Sequence, residues 1–209
     1  MGEDFAATTF CATGAAFAEL HDAVLGLASE AEWTKIMASL PADVRAACES
    51  GDPKVFFPEP HYVRVLHEAD AHTGRDGSIA RAIGTTRADA VLATDRTVFE
   101  GDPLRFLKIG ASLFYRDRAN YGAAGLELTE KKAILRFLFS PHLTLKVGDL
   151  PNVAPQIVLT FLERTVSELA GAAQVPRYMG HAKRADTRFG QEVFNQHYEF
   201  DLDEDKPRE

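Results

Sequence analysis

Residues 124–139 read AGLELTEKKAILRFLF, and the fold turns on this stretch. Leu126 and Leu128 alternate with their neighbours, and Leu135, Phe137 and Phe139 do so again. Side chains two residues apart share a face of a strand, so these runs predict two strands, each with one apolar face. The chain before them has a different period.

Upstream, apolar residues recur every three or four positions, as on one face of a helix. Phe17, Leu20, Val24, Leu27 and Ala31 predict a helix over 14–31, with Glu19, Asp22 and Glu30 largely off its apolar stripe. Trp33, Ile36, Met37 and Leu40 mark a second helix, ended by Pro41, which then opens a short third one in PADVRAACES. The proline-rich GDPKVFFPEPHY reads as a loop, and Pro60 starts a helix with Tyr62, Val65, Leu66 and Ala69 on its apolar side. The run from Ser78 to Arg96 is helical again, through Ile79, Ala82, Ile83 and Leu92. Asp102 then caps a helix begun by Pro103, with Leu104, Leu107, Ala111 and Phe114 in one stripe.

Downstream, HLTLKV at 142–147 alternates and predicts a third short strand or an extended connection. Gln156 to Leu169 is a helix stopped by Gly171, and QVPRYMGHAKR and GQEVFNQHYEF are extended, with Phe194, Tyr198 and Phe200 on one face. Helices clustered early and strands clustered late give an α+β fold, a helical N-terminal half packed on an antiparallel sheet of ββαββ order. Residues 1–200 are expected to form a single domain, and 201–209 an acidic, disordered tail.

The formal net charge of −8 disfavours a phosphate-tracking surface, so no nucleic-acid partner is expected. Cys11 and Cys48 fit neither a metal spacing nor a disulfide framework, and reduced thiols in a cytoplasm follow. The acidic N-terminus MGEDFAATTFCATGAAF is unlike a secretory signal, and no apolar run reaches the roughly 18 residues of a membrane span.

Chemistry-bearing motifs are missing. The sequence holds no G-x-S-x-G, no G-x-x-x-x-G-K-[ST], no G-x-G-x-x-G and no H-E-x-x-H. His61 and His72 would share a helix face, but at about 16 Å apart they cannot meet on one metal, and His67 points elsewhere. No catalytic residue, metal site or cofactor is expected. The densest polar cluster is LFYRDRANYG, Leu113–Gly122. On one reading it is a helix terminus, where Arg116 and Arg118 complement the terminal carbonyls, Asp117 pairs locally, and Asn120 and Gly122 make the turn. On the other, Tyr115, Arg118 and Tyr121, with Phe114 and Phe137 behind them, line a ligand pocket between helices and sheet. Phe56 and Phe57 form an adjacent pair that cannot both follow a helix face, so one is a candidate partner contact.

LPADVRAACES, FFPEPHYVRVLHEAD and the helix ending in FYRDRANYG before LELTEKKAILRF resemble a large myxobacterial paralogous family of about 200 residues. Its architecture is similar to the heme–nitric-oxide-binding, vinyl-4-reductase and trafficking-particle-subunit group. That resemblance covers roughly Ala15 to Phe200 and implies helices packed on a ββαββ sheet around an apolar pocket. Heme-binding members of the group use a helix histidine followed by Tyr-x-Ser-x-Arg. Here the nearest string is Tyr115-Arg116-Asp117-Arg118, with different spacing and no serine, so neither heme nor the cysteine-held metal of other members carries over. The expected function is a non-enzymatic, cytoplasmic regulatory or sensory module that binds a small apolar ligand between helices and sheet. The alternative is a protein-interaction or homodimerisation module without ligand.

Overall fold

The computed structural model describes residues 10–74, 76–120, 122, 124–139, 153–188 and 191–201. The chain opens with a short strand β1 (Cys11–Thr13) that runs into helix α1 (Gly14–Leu27), followed by α2 (Glu30–Ser39) and α3 (Ala42–Glu49). Next come β2 (Phe56–Pro58), α4 (Glu59–His72) and α5 (Ser78–Phe99). An irregular segment follows, one α-turn at Pro103–Arg105, a π-turn at Phe106–Gly110 and a 3₁₀ stretch at Ala111–Tyr115. The second half is β3 (Ala124–Leu128), β4 (Lys132–Phe139), α6 (Ala154–Ala170), β5 (Arg177–Arg188) and β6 (Gln191–Asp201). The predicted α+β class and ββαββ order are both present, while HLTLKV, Tyr121 and residues 202–209 lie outside the described residues.

The first helix is shorter than its apolar spacing suggests. It ends at Leu27, and Ser29 starts α2 by accepting a hydrogen bond from the Glu32 N–H at 3.3 Å. Leu27 and Ala31 are therefore exposed. Ser29→Ala removes this cap and is expected to cost about 1 kcal/mol, read from the urea midpoint.

FFP is a strand and not a loop. β2 pairs antiparallel with β1, Thr13 opposite Phe56 and Ala12 opposite Phe57. Both phenylalanines are half-buried, and the Phe57 ring meets Phe17 edge-on at 5.5 Å. A pair alternating across a strand satisfies both rings without exposing either, an option that the loop reading leaves out.

The main sheet has the order β3-β4-β6-β5, all antiparallel, with β3 and β5 at its edges. Leu126, Leu135, Tyr198 and Tyr178 lie opposite one another across all four strands. Leu135, Phe137, Tyr198 and Phe200 are buried. The other face is charged: Lys132 pairs with Glu199 at 2.9 Å, Arg177 with Asp201 at 2.9 Å, and Arg136 with Glu127. One dry and one wet face is the normal condition of an antiparallel sheet. The dry face meets an aromatic cluster in which the Phe114 ring lies 5.7 Å from Phe137 and 5.2 Å from Phe161 of α6. Phe137 in turn lies 5.8 Å from Tyr198.

Helices α5 and α6 cross closely at Gly84, where an added Cβ would fall 2.4 Å from the Ile157 carbonyl oxygen. α6 buries Ile157, Phe161, Leu162 and Leu169 and ends at Gly171 with φ of 66°. Only a residue without a Cβ enters that left-handed conformation at little cost.

Candidate functional site

The LFYRDRANYG stretch is not the end of a regular helix. The 3₁₀ turn stops at Tyr115, Arg116 turns to an extended conformation, and Asp117 takes a positive φ of 57°. The chain then lies along β1. Thr13 N–H donates to the Arg118 carbonyl at 3.0 Å, the Thr13 hydroxyl to the Asp117 carbonyl at 2.6 Å, and Cys11 N–H to the Asn120 side chain at 2.8 Å. Neither arginine pairs with Asp117. Arg116 reaches Asp95 at 2.9 Å and Arg118 reaches Glu19 at 3.3 Å. Both partners come from other helices, so spacing within the segment could not reveal them.

Glu19, expected off the apolar stripe of the first helix, points inward. Its side chain is 4% exposed and its two oxygens are divided between two cations. Oε2 accepts from Arg87 Nε of α5 at 2.8 Å, and Oε1 accepts from Arg118 Nε at 3.3 Å. Burial works against the Arg87 charge, but the Glu19 carboxylate together with Tyr62 and Tyr115 more than offsets it, and the pKa is raised. The Arg87 guanidinium also lies over the Phe114 ring, 4.6 Å from its centre.

Beside this trio lies a cavity of about 30 Å³. Glu59, Tyr62, Arg87, Tyr115 and Arg118 supply its polar wall, and Phe114 with small residues such as Ala12, Ala16 and Ala119 supplies the apolar wall. Glu59 is the first residue of α4, tied in place by its N–H donating to the Phe10 carbonyl at 3.1 Å. It is 1% exposed and neither carboxyl oxygen has a hydrogen-bond partner; the Tyr62 hydroxyl is likewise enclosed and unpartnered. Burial drives the Glu59 pKa well above the ordinary carboxylate range and pushes the Tyr62 phenol up to about 12. Burial thus favours the neutral, proton-donating form of both groups.

The sign of the resulting pH dependence is definite. An unfolded glutamate loses its proton near pH 4.3, whereas folded Glu59 keeps it to higher pH. The fold therefore loses stability as pH rises through that interval. Glu59→Gln is expected to match the parent below about pH 4 and to gain on it above, by up to about 1.4 kcal/mol per pH unit. Urea titrations from acid to neutral pH check this, and a pH-independent difference would refute it.

A wider groove of about 290 Å³ runs along the outside of the same wall. It shares Arg87, Phe114 and Arg118 with the cavity and adds Thr94, Leu113 and Arg116. Among the residues expected to bind a ligand, the structure thus places Phe114, Tyr115 and Arg118 at the cavity. Phe137 stands one layer behind, its ring 5.9 Å from that of Tyr115. Glu19, Glu59, Tyr62 and Arg87 complete the site and were not singled out in the sequence. Glu59 alone left a trace, as a carboxylate wedged between Pro58 and Pro60.

No family profile and no curated protein matches the sequence. Solved structures do match in fold. The iron(II), unliganded H-NOX protein from K. algicida superposes with a TM-score of 0.54 at 14% identity, over 94% of this chain and 100% of that one. An oxygen-binding H-NOX domain related to soluble guanylate cyclases, in its oxygen complex, gives 0.56 at 9% identity, over 94% and 99%. This chain has the H-NOX fold.

That fold raises the question of heme, and the residues present do not fit it. Among the described residues the cavity lining contains neither histidine nor cysteine. His61 and His72 lie instead near the carboxylates of Asp43 and Glu32, at 3.4 and 3.9 Å. His67 is buried, burial depresses its pKa, and it does not line the cavity. A space of about 30 Å³ holds roughly two waters, against the several hundred Å³ typical of cofactor pockets. No step is assigned to heme here.

Proposed function

We propose that this chain is a non-enzymatic sensory or regulatory domain, acting in the cytoplasm, whose small ligand sits between the helices and the sheet. One observation carries the reading: Glu59 and Tyr62, whose polar side-chain atoms are enclosed and unpartnered, both line one cavity together with Arg87, Tyr115 and Arg118. Buried polar atoms without partners cost about 1–3 kcal/mol each, and a fold that keeps two of them at one cavity places donors for something else to meet. To the Tyr115 and Arg118 expected from the sequence the polar wall adds Glu59, Tyr62 and Arg87. The H-NOX fold supports the reading, since one structure of that fold, matched over 94% of this chain, is an oxygen complex. Occupancy would pull on Phe114 and Arg118, and through them on the sheet and on α1.

The test is a two-dimensional NMR screen of small polar and apolar molecules against the whole chain. Amide shifts are expected to cluster at Ala16, Glu59, Tyr115, Ala119 and Ile157. A broad panel that moves none of them would remove the reading. The interaction-module alternative finds its openings at the edge strands, β3 where Leu128 is 55% exposed and β5 where Met179 is 54% exposed. Light scattering that shows a monomer at all concentrations would dismiss it.

A further inference from the structure

We propose that the cavity is a site for a small oxyanion, a monoanion of about three non-hydrogen atoms such as formate, gripped by Arg87 and Arg118 and capped by Glu59 and Tyr62. This rests on the ligand-binding reading above and gives the ligand a chemical class. The argument begins with charge. Arg87 and Arg118 share one carboxylate, that of Glu19, through bonds of 2.8 and 3.3 Å. Two cations and one anion leave one positive charge over. Arg87 is 8% exposed on its side chain and Arg118 is 25% exposed, so water screens that charge poorly. Burial of Glu59 disfavours a second carboxylate that would balance it.

The donors match the charge. A guanidinium carries five N–H groups, and Glu19 has only two oxygens to accept from both arginines, so donors remain. Both arginines border the cavity, as do the Tyr62 hydroxyl and the Glu59 carboxyl. A neutral carboxyl donates its proton to an anion, whereas an ionised one would repel it. The bound anion and the protonated Glu59 therefore favour each other. Ala154 brings the first turn of α6 to the same cavity, and the field of a helix N-terminus has the sign that suits an anion.

Size sets the selectivity. At 10–15 Å³ for one water-sized centre, a cavity of about 30 Å³ takes two or three atoms and rejects phosphate or a longer acid. Ala12, Ala16 and Ala119 line it with backbone-proximal methyl groups that cannot swing away. Entry is through the outer groove, whose wall is the same Arg87, Phe114 and Arg118. Arg118, the more exposed of the two cations, is the side chain that must shift to admit the anion.

The experiment titrates sodium formate into the whole chain at constant ionic strength held with sodium chloride, and reads melting temperature and amide shifts. Expected is saturable stabilisation by formate, at least ten-fold weaker binding for propionate, and a loss of ten-fold or more in Arg118→Gln. Tyr62→Phe, which keeps the ring and its packing, is expected to weaken formate several-fold without changing the melting temperature of the salt-only sample by more than a few degrees. Formate indistinguishable from chloride would overturn the assignment and leave a cavity for water only. Xenon, followed by its own NMR signal, separates the two levels. If xenon moves the cavity amides and formate does not, the oxyanion is wrong and the ligand site stands. If neither does, both readings fall.

Discussion

Glu19→Ala is expected to lower the unfolding free energy by about 3–5 kcal/mol, the range seen when one partner of a buried ion pair is removed. The substitution takes away the only carboxylate bonded to Arg87 among the described residues and leaves that guanidinium, 8% exposed, beside a second one at Arg118. Such a loss is a large share of the 5–15 kcal/mol that holds a typical domain. The companion variant is Glu19→Met with Arg87→Leu. Replacing a buried pair by apolar groups of similar volume is often neutral, so the double variant is expected to recover much of the loss. Urea denaturation of the three proteins checks the claim. A single-variant loss under about 1 kcal/mol would mean that water reaches the trio, as at an exposed pair.

The second large effect concerns two glycines in helices. Gly84→Ala is expected to destabilise by about 2 kcal/mol even though alanine favours a helix interior over glycine by about 1 kcal/mol. Its new methyl carbon would sit 2.4 Å from the Ile157 carbonyl oxygen and 2.9 Å from Thr160 Cβ, and a helix backbone cannot yield alone. The two helices must separate, which loosens the packing of Ile157 at the cavity. Gly26→Ala in α1 meets nothing within 4 Å and is expected to stabilise by about 0.5–1 kcal/mol. Thermal melts of the pair give opposite signs. The same sign in both would show that the crossing of α5 and α6 is looser than described.

The class of fold could be read from residues 124–139 because period two and period 3.6 place different residues on a buried face. Leu135 and Phe137, and on the helices Val65, Leu66, Ile79 and Ile83, are buried where their spacing puts them. Misreadings arose where local preference and tertiary pairing disagree. Phe56 to Pro58 carries every mark of a loop, and only Cys11 to Thr13, more than forty residues away, makes it a strand. The stripe through Leu107, Ala111 and Phe114 suits a helix, yet the backbone there widens to a π-turn and then tightens. Site residues were legible on the 113–118 segment and hidden elsewhere. Glu19 and Arg87 look like ordinary solvated charges until a partner 68 positions away is brought to 2.8 Å. No periodicity encodes a contact of that kind.

The position of β6 between β4 and β5 bears on how the protein is made. As the chain leaves the ribosome, β3 and β4 can zip into a hairpin at once, but β5 emerges with no strand to join. The sheet closes only when β6, through Asp201, is free to slot into the gap and bond on both sides. Until then the helical half holds the apolar faces of Leu135 and Phe137 without their cover from Tyr198 and Phe200. A chain without β6 would thus carry two unmatched inner strand edges, those of β4 and β5.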